Sequence, residues 1–228
     1  MMKRLILLAA GALSCAAYGE EASAINATAN LDKQFQTIES FTASDAWSGN
    51  FIGKFFADDK KEKLAKWLFS QKYGEDGSPE GIGLSMWRIN IGGGTWEQEG
   101  ADIFPIQRRA ESFLTKDGKK YDWSKAAGQQ WFMKKAKELG CESFLLFSNT
   151  PPVQMTQNSK GYKDAADFKS NLRPDMYDDF AEYMATVAKH FVDEGYNIDY
   201  ISPVNEPGWR WSTNAQEGSP WLNPEIKR

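Results

Sequence analysis

The chain has 228 residues, enough for one domain or one and a fraction. Its hydrophobic share of 41% can build a core, and a net charge of -4 with no sustained basic block argues against nucleic acid as a partner. One histidine and two cysteines are too few for a His/Cys zinc site, a Ser/His hydrolase would have to rest on the single His190, which reads as structural, and nothing calls for a cofactor; only an all-oxygen calcium site stays open.

The N-terminus reads as an export signal over residues 1–19. Met1-Met-Lys-Arg4 is basic, residues 5–13 are apolar, and Ala17-Tyr-Gly19 is a small-x-small cleavage site. The apolar run is too short to span a bilayer, so export without a transmembrane segment is expected. Ala12-Leu-Ser-Cys15 offers a second route, a lipoprotein anchor through Cys15, although its first position lacks a large aliphatic residue. With Cys15 inside the signal, Cys141 has no partner for an intrachain disulfide and reads as a small core residue.

Residues 20–24 are polar, and residues 25–30 could form a short strand. Residues 36–47 begin a first strand that ends in a polar, aromatic tip with Asp45 and Trp47. Residues 58–73 have helical periodicity, with Leu64, Trp67, Leu68 and Gln71 on one face. A second strand, residues 82–90, carries Arg88 and Asn90. It runs into Gly92-Gly-Gly94, where the backbone must bend or approach something closely. These glycines lack the lysine and the helix start of a phosphate loop. The loop over residues 95–123 is long and aromatic, which marks a functional loop.

Ser124 is expected to cap a helix holding Trp131, Phe132, Ala136 and Leu139, which Gly140 ends. Residues 143–148 are a third strand, apolar enough to be buried on both faces, tipped by Asn149-Thr-Pro-Pro152. Asp175 starts a helix whose stripe is Met176, Phe180, Met184, Val187 and Phe191, closed by Gly195. His190 lies one position off that stripe and reads as structural. The fourth strand, residues 200–204, meets Asn205-Glu206-Pro207, and Pro207 cannot donate to a ladder. An amide and a carboxyl therefore sit at a strand tip, with Trp209 and Trp211 just beyond. A proton donor beside a flat indole suits sugar chemistry.

Strand and helix alternate, which predicts an α/β fold with a parallel sheet. Long loops on one side only favour a barrel. An eight-stranded barrel takes about 250 residues and only four strands are visible, so the expectation over residues 35–228 is the first half of a TIM (β/α)8 barrel.

Four runs carry a family resemblance: Thr42-Ala-Ser-Asp-Ala-Trp47, Gly83-Leu-Ser-Met-Trp-Arg-Ile-Asn-Ile-Gly92, Phe147-Ser-Asn-Thr-Pro-Pro-Val-Gln-Met-Thr156 and Ser202-Pro-Val-Asn-Glu-Pro207. Together and in this order they resemble glycoside hydrolase family 30, in its endo-β-1,6-galactanase-like branch. The resemblance implies an (α/β)8 barrel with a side β-sandwich, to which residues 20–34 would contribute through a strand near residues 25–31.

It also implies hydrolysis of a β-linked polysaccharide or oligosaccharide with retention, by two carboxyls about 5–5.5 Å apart. In the family pattern Glu206 is the general acid/base, which must hold a proton to protonate the leaving oxygen. Asn205 would bond the sugar's 2-hydroxyl, Arg88 would keep the nucleophile ionised, and Asp45 and Trp47 would bind the sugar on the non-reducing side. Asn90, Asn149 and Trp209 complete the expected substrate contacts. The nucleophile of the family lies on a seventh strand, outside this chain. Candidate substrates are β-1,6-galactan, glucuronoxylan, β-1,6-glucan and β-xylosides. Glu39-Ser-Phe-Thr replaces glycines common around this phenylalanine, and Gln154 replaces a frequent tryptophan, which bears on the substrate more than on the chemistry. The other class to weigh is a non-catalytic, carbohydrate-binding half-barrel.

Overall fold

A computed structural model describes residues 27–28, 30, 32–99, 105–163, 167–211 and 215–227. The chain divides into two units, Met1–Thr37 and Ile38–Arg228. In the first, Asn30 makes a turn: its side chain accepts from the Asp32 N–H (3.0 Å) and its carbonyl from the Lys33 N–H (3.3 Å). Residues 27, 28 and 30 form no strand. The rest of the strand expected there lies outside the described residues, as do the signal of residues 1–19 and Cys15.

The second unit is built on four parallel strands, β1 (Thr42–Asp45), β2 (Met86–Asn90), β3 (Ser143–Phe147) and β4 (Ile198–Ser202), hydrogen-bonded in the order of the chain. Helices α1 (Ser48–Phe55), α2 (Asp58–Phe69), α3 (Ala127–Glu138) and α4 (Tyr177–Asp193) fill the crossovers, and α5 (Asn223–Ile226) follows β4. The parallel α/β sheet is as expected. Helix α1 was not: its apolar residues Phe51, Ile52 and Phe55 fall within barely two turns, too short a stretch to declare a period, and it forms behind Asp45, whose carboxylate accepts the Gly49 N–H (2.8 Å) in the positive first turn.

Two strand ends differ from expectation for identifiable reasons. β4 stops at Ser202 because Pro203, not Pro207, is the first residue unable to donate. β2 starts only at Met86 because the N–H groups of Ile82 and Leu84 are bonded to the carbonyls of Trp67 (2.7 Å) and Leu68 (2.9 Å) at the end of α2. Gly81 permits that contact, since a Cβ there would lie 2.3 Å from the Lys66 carbonyl.

One face of the sheet packs on the helices. Trp87, Ile89, Phe144 and Leu146 meet Ala65 and Phe69 of α2, Phe132, Met133 and Ala136 of α3, and Met184, Val187 and Phe191 of α4. The stripe expected on α4 is therefore the buried one. On α2 the expected face is off by one position. Ala65 and Phe69 go inward, Phe69 edge-on to Trp87, while Trp67 lies outside beneath the Lys63 ammonium.

The N-cap of α3 is Ala126, not Ser124. Asp122 accepts both the backbone N–H and the hydroxyl of Ser124, and this local turn competes with the cap. Helices α1 and α3 cross at two glycines: a Cβ on Gly53 would lie 2.3 Å from the Gly128 carbonyl. Buried Glu111 ties the crossing together, accepting from Asn50 (2.9 Å), Lys54 (2.7 Å) and the Ala126 N–H (2.9 Å). His190 stacks on Trp123 at 3.8 Å, and Cys141 is buried, its thiol pushed up to about 11 by desolvation; both are structural, as expected. Among the described residues no helix is long and apolar enough to cross a membrane.

Candidate active site

The other face of the sheet carries the polar row. Parallel register sets Ser44, Arg88, Leu145 and Tyr200 side by side, and Asn90, Phe147 and Ser202 one step further toward the strand tips. Side chains alternate faces along a strand, so Arg88 and Asn90 share this face while Ile89 enters the core.

Arg88 organises the row. One guanidinium nitrogen donates to the Ser44 hydroxyl (2.9 Å) and another to the Asn205 side-chain oxygen (2.8 Å). The plane rests on the Phe147 ring, 3.3 Å from its centroid. Burial lowers the pKa of the guanidinium, and the charge of Glu206 pulls it back up. Asn205 in turn donates to the Asn149 side-chain oxygen (2.9 Å). The tips of β1, β2, β3 and β4 are thus joined by one chain, Ser44–Arg88–Asn205–Asn149.

Glu206 comes immediately after this chain. Its φ of 45° is left-handed, a rare conformation for a residue with a side chain. Its carbonyl accepts from the Trp209 N–H (3.0 Å) and from the Trp211 indole nitrogen (3.2 Å). Glu206, Gly208 and Trp209 line an open depression of ≈510 Å³, with Trp209 66% exposed. Asn90 donates to the Ala46 carbonyl (2.9 Å), but its side-chain oxygen, the side-chain nitrogen of Asn149 and the hydroxyl of Thr150 are buried without a partner. Buried polar atoms are ordinarily paired, so these three have bonding capacity left for water or another polar group.

The predicted residues do not all converge. Asp45 pairs in register with Ile89, so its carboxyl points to the helix layer, where burial pushes it up to about 6. Trp47 is half-buried at the N-terminus of α1. Gln154 donates to the carbonyls of Thr115 (3.2 Å) and Lys116 (3.4 Å), so it braces the loop after β2.

The sequence reading missed residues 217–221, which tie three tips in turn. Glu217, fully buried, accepts from the Gly93 N–H (3.0 Å), the Thr95 N–H (3.3 Å) and the Thr95 hydroxyl (2.6 Å) beyond β2. Ser219 donates its N–H to the Asn149 carbonyl (3.0 Å) beyond β3, and Trp221 to the Pro207 carbonyl (3.0 Å) beyond β4. The bend at Gly92-Gly-Gly94 has its explanation here: Gly94 is left-handed (φ 92°), and a Cβ on Gly93 would lie 2.4 Å from Thr150. Those glycines were the only signal in the sequence that something had to come close.

Three similarities bear on this site. An endo-β-1,6-galactanase of Hypocrea rufa is 25% identical over 90% of this chain and 45% of its own length. An exo-β-1,6-galactobiohydrolase of Bifidobacterium longum is 25% identical over 90% of this chain and 17% of its own. The crystal structure of a conserved exported protein from Bacteroides fragilis superposes with a TM-score of 0.81 at 42% identity, over 86% of this chain and 40% of that one. The chain therefore spans less than half the length of each of these relatives. Residues 24–228, nearly all of it, match the model of O-glycosyl hydrolase family 30, and the chain belongs to that family.

Proposed function

We propose that the protein is a retaining, endo-acting glycoside hydrolase of β-linked polysaccharide, with β-1,6-galactan the favoured substrate and Glu206 the general acid/base. The observation that carries this reading is the position of Glu206. It follows the tip of β4, its backbone carbonyl is held twice, and it shares an open depression with an exposed indole. The galactan comes from the names of the two curated relatives. The four parallel strands would be the first half of a (β/α)8 barrel.

Retention takes two displacements. A carboxylate nucleophile attacks the anomeric carbon while the Glu206 acid gives its proton to the departing oxygen. Glu206, now a carboxylate, then takes a proton from the water that releases the sugar. None of the buried acids here suits the nucleophile: Asp45 faces the helices, Glu111 is taken up by Asn50, Lys54 and the Ala126 N–H, and Glu217 is walled in, so the second carboxylate would come from outside these residues. Arg88 would favour that nucleophile's ionised form. Asn205, fixed between Arg88 and Asn149, would bond the 2-hydroxyl, and the free buried atoms of Asn90 and Asn149 would take further hydroxyls. Trp209 would offer a flat face to a sugar ring beside Glu206 and the half-buried Trp47 a second one at the β1 tip, apart from that depression, while Asp45 supports the β1 tip from behind by holding α1. Export, through residues 1–19, accords with the description of the Bacteroides fragilis relative.

The test is the full-length protein on β-1,6-galactan, glucuronoxylan and β-1,6-glucan, with NMR of the first-formed anomer. Release of oligosaccharides as the β-anomer from β-1,6-galactan is expected. The α-anomer, or no release from any of the three, would sink the reading.

A further inference from the structure

We infer that Trp211 is a positioning residue for Glu206, and that Gly218 is the surface against which it is set. The inference rests on the proposed role of Glu206 and deepens it. A non-glycine residue at φ 45° does not hold itself there; left-handed backbone is unfavourable for a residue with a side chain, and the surroundings must impose it. Both lone pairs of the Glu206 carbonyl are occupied, by the Trp209 N–H and by the Trp211 indole N–H.

These two donors differ in kind. Trp209 is three residues away and mostly exposed, so its bond is a simple turn that can open. Trp211 is buried and is fixed from several sides. Its own backbone is left-handed (φ 49°), and its carbonyl accepts from the Lys163 N–H (3.0 Å). Its ring covers Gly218 so closely that a Cβ there would lie 2.1 Å from the ring atoms. Gly218 is fixed in turn by its N–H to the Gly161 carbonyl (2.9 Å), and its neighbours Glu217 and Ser219 are bonded to the tips beyond β2 and β3. The indole therefore transmits the position of those tips to the peptide that aims the Glu206 carboxyl. Trp211 touches no substrate in this account; it acts through Glu206.

The experiment uses the full-length protein as wild type, Trp211→Phe, Gly218→Ala and Glu206→Gln. Each is assayed on a β-galactoside with a poor leaving group and on an activated aryl β-galactoside. Trp211→Phe keeps a buried ring but removes the N–H donor. Gly218→Ala keeps the donor and displaces the ring, and it stands in should Trp211→Phe not fold. A misplaced acid slows the reaction that needs its proton, so the ratio of kcat on the aryl to the poor substrate should rise about tenfold or more in both variants, with KM little changed. Glu206→Gln sets the upper limit of that ratio. Equal losses on both substrates in Trp211→Phe and Gly218→Ala, with a clear change in Glu206→Gln, would show that Trp211 only packs, and the inference would fall. Equal losses in Glu206→Gln itself would overturn the acid/base reading and this inference with it.

Discussion

Glu217 is a carboxyl with no access to water, and its chemistry follows from that. Burial pushes its pKa from 4.5 up to about 7, against four donors, the Thr95 hydroxyl and the N–H groups of Gly93, Thr95 and Ala110, that pull it down. An acid raised in the folded state keeps its proton longer there than in the unfolded chain. Its contribution to stability is complete below pH 4.5 and is lost as pH rises toward 7. Glu217→Gln removes the titration and keeps an acceptor for Gly93 and Thr95. Between pH 5 and 8 the melting temperature of the wild type should therefore fall more than that of Glu217→Gln; parallel melting curves would contradict the assignment. Asp45, raised to about 6, acts in the same direction over a lower window. At this scale the sequence showed what abuts a strand end. Asn205, Glu206 and Trp209 were legible because a proline-punctuated strand announces its tip. Glu217 was not, because its partners Gly93 and Thr95 are more than a hundred residues away. The face Asp45 takes was not legible, because β1 is four residues long, too short for alternation to declare itself.

At the scale of elements, close approach of α1 and α3 sets how the β1 tip is carried. Gly53 meets the Gly128 backbone where any side chain would collide, and Glu111 bonds both helices from the loop between them. Gly53→Ala should destabilise the full-length protein by about 1–3 kcal/mol, measured by urea unfolding. A change within error would mean that the helices can slide apart at no cost. Periodicity gave the long helices, and α4 needed little correction: Phe180, Met184, Val187 and Phe191 of its expected stripe are the buried face, while Met176 is the half-buried N-cap and the helix starts at Tyr177 rather than Asp175. It misjudged α2, where amphipathic lysines let Trp67 lie outward and bury Ala65 and Phe69 instead. It passed over α1, whose apolar residues Phe51, Ile52 and Phe55 span only an eight-residue helix, which Asp45 and packing against α3 hold in place.

For the molecule as a whole, apolar side chains are exposed among the described residues of the second unit. β1 and β4 are the edges of the sheet. Beside them Phe41, Tyr200 and Ile201 are exposed, and α4, β4 and α5 line an apolar hollow of ≈290 Å³ with Phe180, Met184, Val204 and Trp221. Open edges and uncovered apolar surface invite association. Residues 35–228 expressed alone should elute as oligomers in light-scattering chromatography and release no sugar. A monodisperse monomer that cleaves galactan would contradict both the edge argument and the external nucleophile. Family and sheet order were legible in the sequence because four motifs fell at four strand tips.

The central claim, that Glu206 is the acid/base, has one direct test. Glu206→Ala in the full-length protein is given an activated aryl β-galactoside with and without sodium azide. The aryl group needs no acid to leave, and azide needs no base to attack the glycosyl-enzyme. With Glu206 as acid/base, azide should accelerate turnover and the product should be the β-galactosyl azide. No acceleration, or an α-galactosyl azide, which would make Glu206 the nucleophile, would contradict it.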